Sequence, residues 1–142
     1  RNDRVYSEPD AAAAETGSII IVGATDAPLL PHQLKRIAKR AALGLARMGS
    51  VAGNGSGDIF VAFSTANADA LAGQPLGAMS VIGNDFIDPL FAATVQATEE
   101  AITNALVAAR DMQGHAGNYA KALPHAELVR LLERYGRLAD RH

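Results

Sequence analysis

The run Ser18-Ile19-Ile20-Ile21-Val22 is apolar and β-branched on both faces once past its first residue. That pattern fits a strand over residues 18–24 that is covered on each side, rather than one with a wet face. Asp26-Ala27-Pro28 ends it. The period then turns helical from Pro31 to Met48, where Leu34, Ile37, Ala38, Ala41, Leu45 and Met48 form one stripe. Pro31 suits a first helical position and Gly49 a left-handed stop. Lys35, Arg36, Lys39 and Arg40 lie off the stripe, as the solvated side of an amphipathic helix. A glycine-rich stretch over residues 49–57 leads into a second strand over 58–64, built on Ile59-Phe60-Val61-Ala62-Phe63.

Residues 66–83 read as loop, with room for a short strand at Met79-Ser80-Val81-Ile82. Asp88-Pro89 supplies an N-cap and a first-turn proline for a long helix to about Arg110. Phe91, Val95, Thr98, Ile102, Ala105 and Ala109 form its stripe. Gly114 and Gly117 break the chain, and Pro124-His125 starts a last helix using Leu128, Leu131 and Leu132. The order strand, helix, strand, loop, helix, helix implies an α/β layered domain. Two strands make too small a sheet to stand alone, so further strands are expected from sequence outside this chain.

The chain has 142 residues, enough for one domain with a real core. Its residues are 49% hydrophobic and 20% charged, with a net charge of −2. That balance describes a soluble globular domain and argues against a dedicated nucleic-acid binder. With no cysteine, disulfides and thiolate metal sites are excluded. No apolar run approaches the roughly 20 residues that span a bilayer. Residues 1–17 carry charges, one proline and the run Ala11-Ala14 without amphipathic period, and read as a linker or tether. A start at Arg1-Asn2-Asp3-Arg4, with neither initiator Met nor signal pattern, is expected of part of a longer polypeptide. The expected setting is bacterial-type and soluble, cytoplasmic rather than periplasmic.

Chemistry has few places to sit. The glycine stretch matches neither G-x-x-x-x-G-K-[ST] nor G-x-G-x-x-G, and it precedes a strand instead of a helix N-terminus. His32, His115, His125 and His142 form no metal-spacing pattern. Ser56 and Asp58, two apart across Gly57, share one face in extended geometry, and Gly55 and Gly57 leave room for a close approach to the backbone. A turn serine and a strand-initiating aspartate is the structural alternative. Ser18 stands where the polar leader meets the strand. As a freed N-terminus its amine, with a pKa of about 7.7–8.0, could take the proton of its own hydroxyl without a histidine. Ser56 and Asp58 are the right types to hold such a group. Read plainly, Gly17-Ser18 is a turn pair.

The residues also carry a resemblance. Gly17-Ser18-Ile19-Ile20-Ile21-Val22, then Ala24-Thr25-Asp26-Ala27-Pro28-Leu29-Leu30-Pro31-His32-Gln33-Leu34-Lys35-Arg36, resembles the start of the β-subunit of the DmpA family. These are the L-aminopeptidase/D-esterase and β-peptidyl aminopeptidase enzymes. Gly53-Asn54-Gly55-Ser56-Gly57-Asp58-Ile59-Phe60 with Ala62-Phe63-Ser64-Thr65-Ala66-Asn67 is similar to a second signature. Ala97-Thr98-Glu99-Glu100-Ala101-Ile102-x-Asn104-Ala105-Leu106, Met112-x-Gly114-x-x-Gly117-Asn118 and Ala122-Leu123-Pro124-His125 continue it.

The resemblance implies a four-layer α/β/β/α sandwich of which this chain is the C-terminal part. Residues 1–17 would be the end of the α-subunit side and 18–142 the β-subunit part of one catalytic domain. It implies self-cleavage between Gly17 and Ser18, with Ser18 as nucleophile, Ser56 as a second serine contacting it, and Asp58 holding the new amino terminus. The reaction would remove N-terminal residues from short peptides, amides or esters through an acyl-enzyme. No cofactor and no metal are called for. Oxyanion-hole donors and the group reading the substrate amine would come from the α-subunit, in a homo-oligomer of αβ pairs, usually a tetramer. Two alternatives stand beside it: an ornithine acetyltransferase-like transferase, which shares the fold but uses a threonine where this chain has Ser18, and a non-catalytic interaction module.

Overall fold

The computed structural model describes residues 17–138; of the expected tail at 1–17, all but Gly17 lies outside them. They fall into two compact units divided between Glu99 and Glu100. The first holds β1 (Ile20–Thr25), α1 (Pro31–Arg47), β2 (Ile59–Ser64) and the first half of α2 (Asp88–Ala108). β1 and β2 pair in parallel, from Ile20 opposite Ile59 to Thr25 opposite Ser64. Parallel neighbours need a crossover of a dozen or more residues, and α1 supplies it.

Alternate strand residues point to opposite faces. The half-buried set includes Ile21, Gly23, Phe60 and Ala62, on the side of α1. The other set is bare: Ile20 is 69% and Val22 60% exposed, with Ile59, Val61 and Phe63 beside them. The cover expected on both faces is therefore met on one only among the described residues. A single helix can cover only one side of a two-stranded sheet.

α1 begins at Pro31 as expected, and the Leu30 carbonyl accepts the amides of Gln33 and Leu34 at 2.9 Å each. Its most buried line is Gln33, Ile37, Ala41 and Gly44, so the stripe is turned from the expected one and Met48 is exposed. Gln33, only 2% exposed, is tolerated there because every polar atom is used. Its Oε1 accepts the Leu30 amide (2.9 Å), and its Nε2 donates to the Ile82 carbonyl (2.8 Å) and Asn84 Oδ1 (3.2 Å). Gly49, at φ +102°, ends the helix.

The core gathers Leu29, Ile37, Ile87 and Phe91, with Leu34, Ala62 and Ile82 against it. Arg36 and Arg40 do not simply face solvent: their guanidinium carbons lie 4.9 and 3.7 Å from the centre of the Phe91 ring. Planar guanidinium groups stack well on aromatic faces, which Lys35 and Lys39 do not attempt. The Met79–Ile82 segment forms no strand. It is held by Asn67, whose side chain both donates to and accepts from the Ser80 backbone at 3.0 Å, and by the Ile82 amide on the Pro28 carbonyl (2.9 Å). α2 starts one residue before the expected Pro89, because the Ile87 carbonyl already accepts the Leu90 and Phe91 amides (3.0 and 3.2 Å).

The second unit holds the end of α2, a two-residue antiparallel pair β3 (Met112–Gln113) and β4 (Tyr119–Ala120), and α3 (His125–Arg134). Asp111 ties the hairpin together, accepting the Ala122 amide at 2.8 Å and the Tyr119 hydroxyl. These bonds hold its carboxyl below the ordinary value and push the Tyr119 phenol up. α3 starts where Pro124-His125 indicated.

α1 and α2 approach most closely at Gly44. A Cβ there would sit 2.6 Å from Thr98 Cβ and 2.7 Å from the Val95 carbonyl oxygen, and a backbone oxygen cannot swing aside. Gly44→Ala is therefore expected to destabilise by about 1–3 kcal/mol, although alanine gains about 1 kcal/mol in helix propensity. Denaturant unfolding of the full-length protein measures it, and an unchanged midpoint would refute the close crossing.

Candidate active site

In a parallel ladder each strand residue donates and accepts at alternate positions, so rungs step by two. Here the Ile59 amide donates to the Ile19 carbonyl (2.9 Å), and at the far end the Thr65 amide donates to Thr25 (3.0 Å). Carried one step outward, the Gly57 amide would donate to the Gly17 carbonyl and the Ile19 amide to the Gly57 carbonyl. Neither bond forms. The Gly57 amide donates to Ser18 Oγ at 2.9 Å, and the Ile19 amide to Asp58 Oδ1 at 3.1 Å. Two side chains thus take the places of two main-chain partners, which is why regular strand begins at Ile20 and Ile59, two residues and one residue later than expected.

The close approach expected beside Gly57 is made by Ser18. A Cβ at position 57 would lie 3.3 Å from Ser18 Oγ. Ser56 and Asp58 do share a face. Both line a pocket of about 440 Å³ with Ala42, Leu45 and Ala46 of α1, Val51 and Phe60, between the helix and the glycine loop. The Ser56 amide donates to the Gly53 carbonyl (3.0 Å), closing the turn that delivers it. Ser18 does not line this pocket. Among the described residues the bond to Ser18 Oγ comes from the backbone of Gly57, and no hydrogen bond links the two serine side chains.

The structure therefore brings Gly17-Ser18 beside Gly57-Asp58, with Ser56 one residue away. Sequence reasoning missed the Gly57 amide as a partner. The signal was the register: once Ile20 faces Ile59, Ser18 must face Gly57. Among the described residues no cluster of three metal-ligating side chains exists, and no helix is long and apolar enough to cross a membrane.

The model of peptidase family S58 matches residues 2–120. The chain belongs to that family. It is 58% identical over 124 residues to a beta-peptidyl aminopeptidase, BapA, of Sphingosinicella microcystinivorans, which covers 87% of this chain and 31% of the relative. The BapA of Sphingosinicella xenopeptidilytica is 44% identical over 137 residues, covering 93% of this chain and 34% of the relative. Among solved structures, the L-aminopeptidase D-Ala-esterase/amidase of Ochrobactrum anthropi, described as a variant of the Ntn-hydrolase fold, superposes with a TM-score of 0.77 at 45% identity. It covers 86% of this chain and 35% of that one. A Burkholderia sp. beta-aminopeptidase gives 0.74 at 42% identity, covering 89% of this chain and 37% of its own. The chain thus spans about a third of the length of its relatives. The expected fold class holds: this is a C-terminal part of the DmpA-like sandwich.

Asp58 is the only acceptor of the Ile19 amide among the described residues. In the full-length protein, Asp58→Ala is expected to speed hydrogen exchange of that amide about tenfold, the worth of one hydrogen bond to a charged group, while Asp58→Asn keeps the acceptor and most of the protection. Equal exchange in wild type and Asp58→Ala would contradict the side-chain rung.

Proposed function

We propose that this chain is part of a self-processing serine aminopeptidase, cut before Ser18 and then acting through it. The supporting observation is that Ser18, at the head of β1 in a family S58 chain, has its hydroxyl oxygen held by a backbone amide beside Asp58.

In the first step Ser18 Oγ attacks the Gly17 carbonyl carbon. The new C–O bond forms as the Gly17–Ser18 C–N bond breaks, and the hydroxyl proton goes to the departing Ser18 nitrogen. Water hydrolyses the resulting ester, leaving a Gly17 carboxylate and a Ser18 with both hydroxyl and free amine. That amine, near pKa 7.7–8.0 when unperturbed, is the general base for the second life of the site. It takes the Ser18 proton as Oγ attacks the carbonyl carbon of a substrate's first residue. The proton passes to the leaving amine or alcohol, and water releases the acyl group from Oγ. Asp58, which in the uncut chain accepts the next amide along, is within reach to hold the ammonium form. Ser56 is the second serine of the site.

The substrates are short peptides, amides or esters with a free N-terminus, by analogy with the relatives' beta-peptidyl aminopeptidase and L-aminopeptidase D-Ala-esterase/amidase descriptions. The partner is the α-subunit from the same precursor, which completes the site and covers the bare face of Ile20, Val22, Ile59, Val61 and Phe63. The pairs assemble as a homo-oligomer, with a tetramer the state to look for.

Intact-mass analysis of the full-length protein tests the first step. Wild type should separate into two chains, the smaller beginning at Ser18, while Ser18→Ala stays whole and loses at least about 10³-fold in kcat/KM. A wild type that is never cut there, or an active Ser18→Ala, refutes the reading. The pH profile tests Asp58. A nearby carboxylate favours the ammonium and raises the amine's pKa, and activity needs the neutral amine, so it grows as pH rises through that pKa. Removing the charge in Asp58→Asn should therefore move the acid limb of kcat/KM to lower pH in whatever fraction is cut.

A further inference from the structure

The rung swap at the head of β1 separates two tasks that an ordinary ladder would merge. With regular pairing, the Gly57 amide would fix the Gly17 carbonyl in the plane of the sheet and Ser18 Oγ would be left to rotate. Instead the amide holds the oxygen of Ser18 at 2.9 Å, and among the described residues the Gly17 carbonyl accepts no hydrogen bond. We propose that Gly57 is a positioning residue for both reactions of Ser18: its amide fixes the nucleophilic oxygen while keeping the scissile Gly17 carbonyl out of the β-ladder, and its missing side chain makes the contact possible. The inference rests on the reading of Ser18 as a self-cleaving nucleophile.

The geometry explains why position 57 is glycine. Gly57 does not stand at a positive φ, so backbone freedom is not what requires it. Space is. A Cβ would meet Ser18 Oγ at 3.3 Å and Ser18 Cβ at 4.0 Å, and nothing else within 4 Å. The first distance is too tight for an undisturbed contact and the second is ordinary, so the oxygen alone must give way by a few tenths of an ångström. Attack requires Oγ to reach the Gly17 carbonyl carbon as the C–N bond breaks, and later the substrate carbonyl, at near-attack separation. A misplacement of about 1 Å can cost about 100-fold in rate, so a shift of a few tenths of an ångström at the nucleophile itself is expected to cost about tenfold. An amide donated to Oγ also stabilises the oxygen as it gives up its proton, which no side chain at 57 could replace.

Gly57→Ala in the full-length precursor tests this against Ser18→Ala and the double variant. Cleavage before Ser18, followed by intact mass over time, should slow at least about tenfold in Gly57→Ala. In the fraction that matures, kcat should fall by a similar factor with KM within about twofold, the signature of an interaction used in the transition state rather than in binding. Thermal unfolding supplies the control should Gly57→Ala prove unstable. Because the added methyl is crowded only by Oγ, any loss in melting temperature seen with Ser18 present should vanish in the Ser18→Ala background, a coupling confined to this pair. Wild-type cleavage and turnover in Gly57→Ala, or an equal loss of stability with and without the Ser18 oxygen, overturns the proposal. Ser18→Ala separates the failures. If it stays whole and inactive while Gly57→Ala behaves as wild type, only the role of Gly57 falls; if it still cuts and turns over, the nucleophile reading falls with it.

Discussion

The parallel pairing of β1 with β2 is the constraint on which everything else in the first unit depends. Ile20 opposite Ile59 fixes Ser18 opposite Gly57 and Ile19 opposite Asp58, so the register alone decides which groups meet at the Gly17-Ser18 junction. A slip of one residue would turn every strand side chain to the other face and part Ser18 from the Gly57 amide. The register is in turn held by burial, since Ala62 packs against the core of Leu29, Ile37, Ile87 and Phe91. It also depends on α1, the crossover without which parallel neighbours cannot form.

The helix layer is locked at two kinds of place. At Gln33 a buried amide engages both its polar atoms with Leu30, Ile82 and Asn84, joining the start of α1 to the segment before α2. At Gly44 the absence of a side chain lets the two helices close to backbone contact. The first contact is directional and the second steric, so together they fix the angle and spacing of α1 more firmly than apolar packing alone would. That matters for the pocket beneath Ser56 and Asp58, whose other wall is Ala42, Leu45 and Ala46 on the same helix.

Much of this was legible in the sequence, and the failures follow a pattern. Pro31, Gly49 and Pro124-His125 marked their helix ends because capping chemistry is local. Ser56 and Asp58 shared a face as their spacing required, since extended geometry leaves no choice. What could not be read were groups whose partner lies elsewhere in the chain. Gln33 was no part of the expected apolar stripe and is buried, because Ile82 and Asn84 satisfy it. Arg36 and Arg40 looked solvated and stack on Phe91, a residue some fifty positions away. The bare face of the sheet shows the same limit from the other side: a run apolar on both faces announces two coverings, and this chain supplies one. Residues 112–120 formed a hairpin too short for any period to reveal, braced by the side chains of Asp111 and Asn118.

Under the proposed self-cleavage, the end of the sheet is where a stable fold and a breakable bond would share a few residues. A fully paired strand end would be the firmest support for Ser18, but it would clamp the peptide bond before it into the ladder as well. Exchanging main-chain acceptors for Ser18 Oγ and Asp58 Oδ1 keeps the Gly57 and Ile19 amides satisfied. The support is thereby moved from the carbonyl to the side chain. Glycine on the facing strand is what gives that arrangement room, and the strand behind it, regular from Ile20 onward, is what gives it precision.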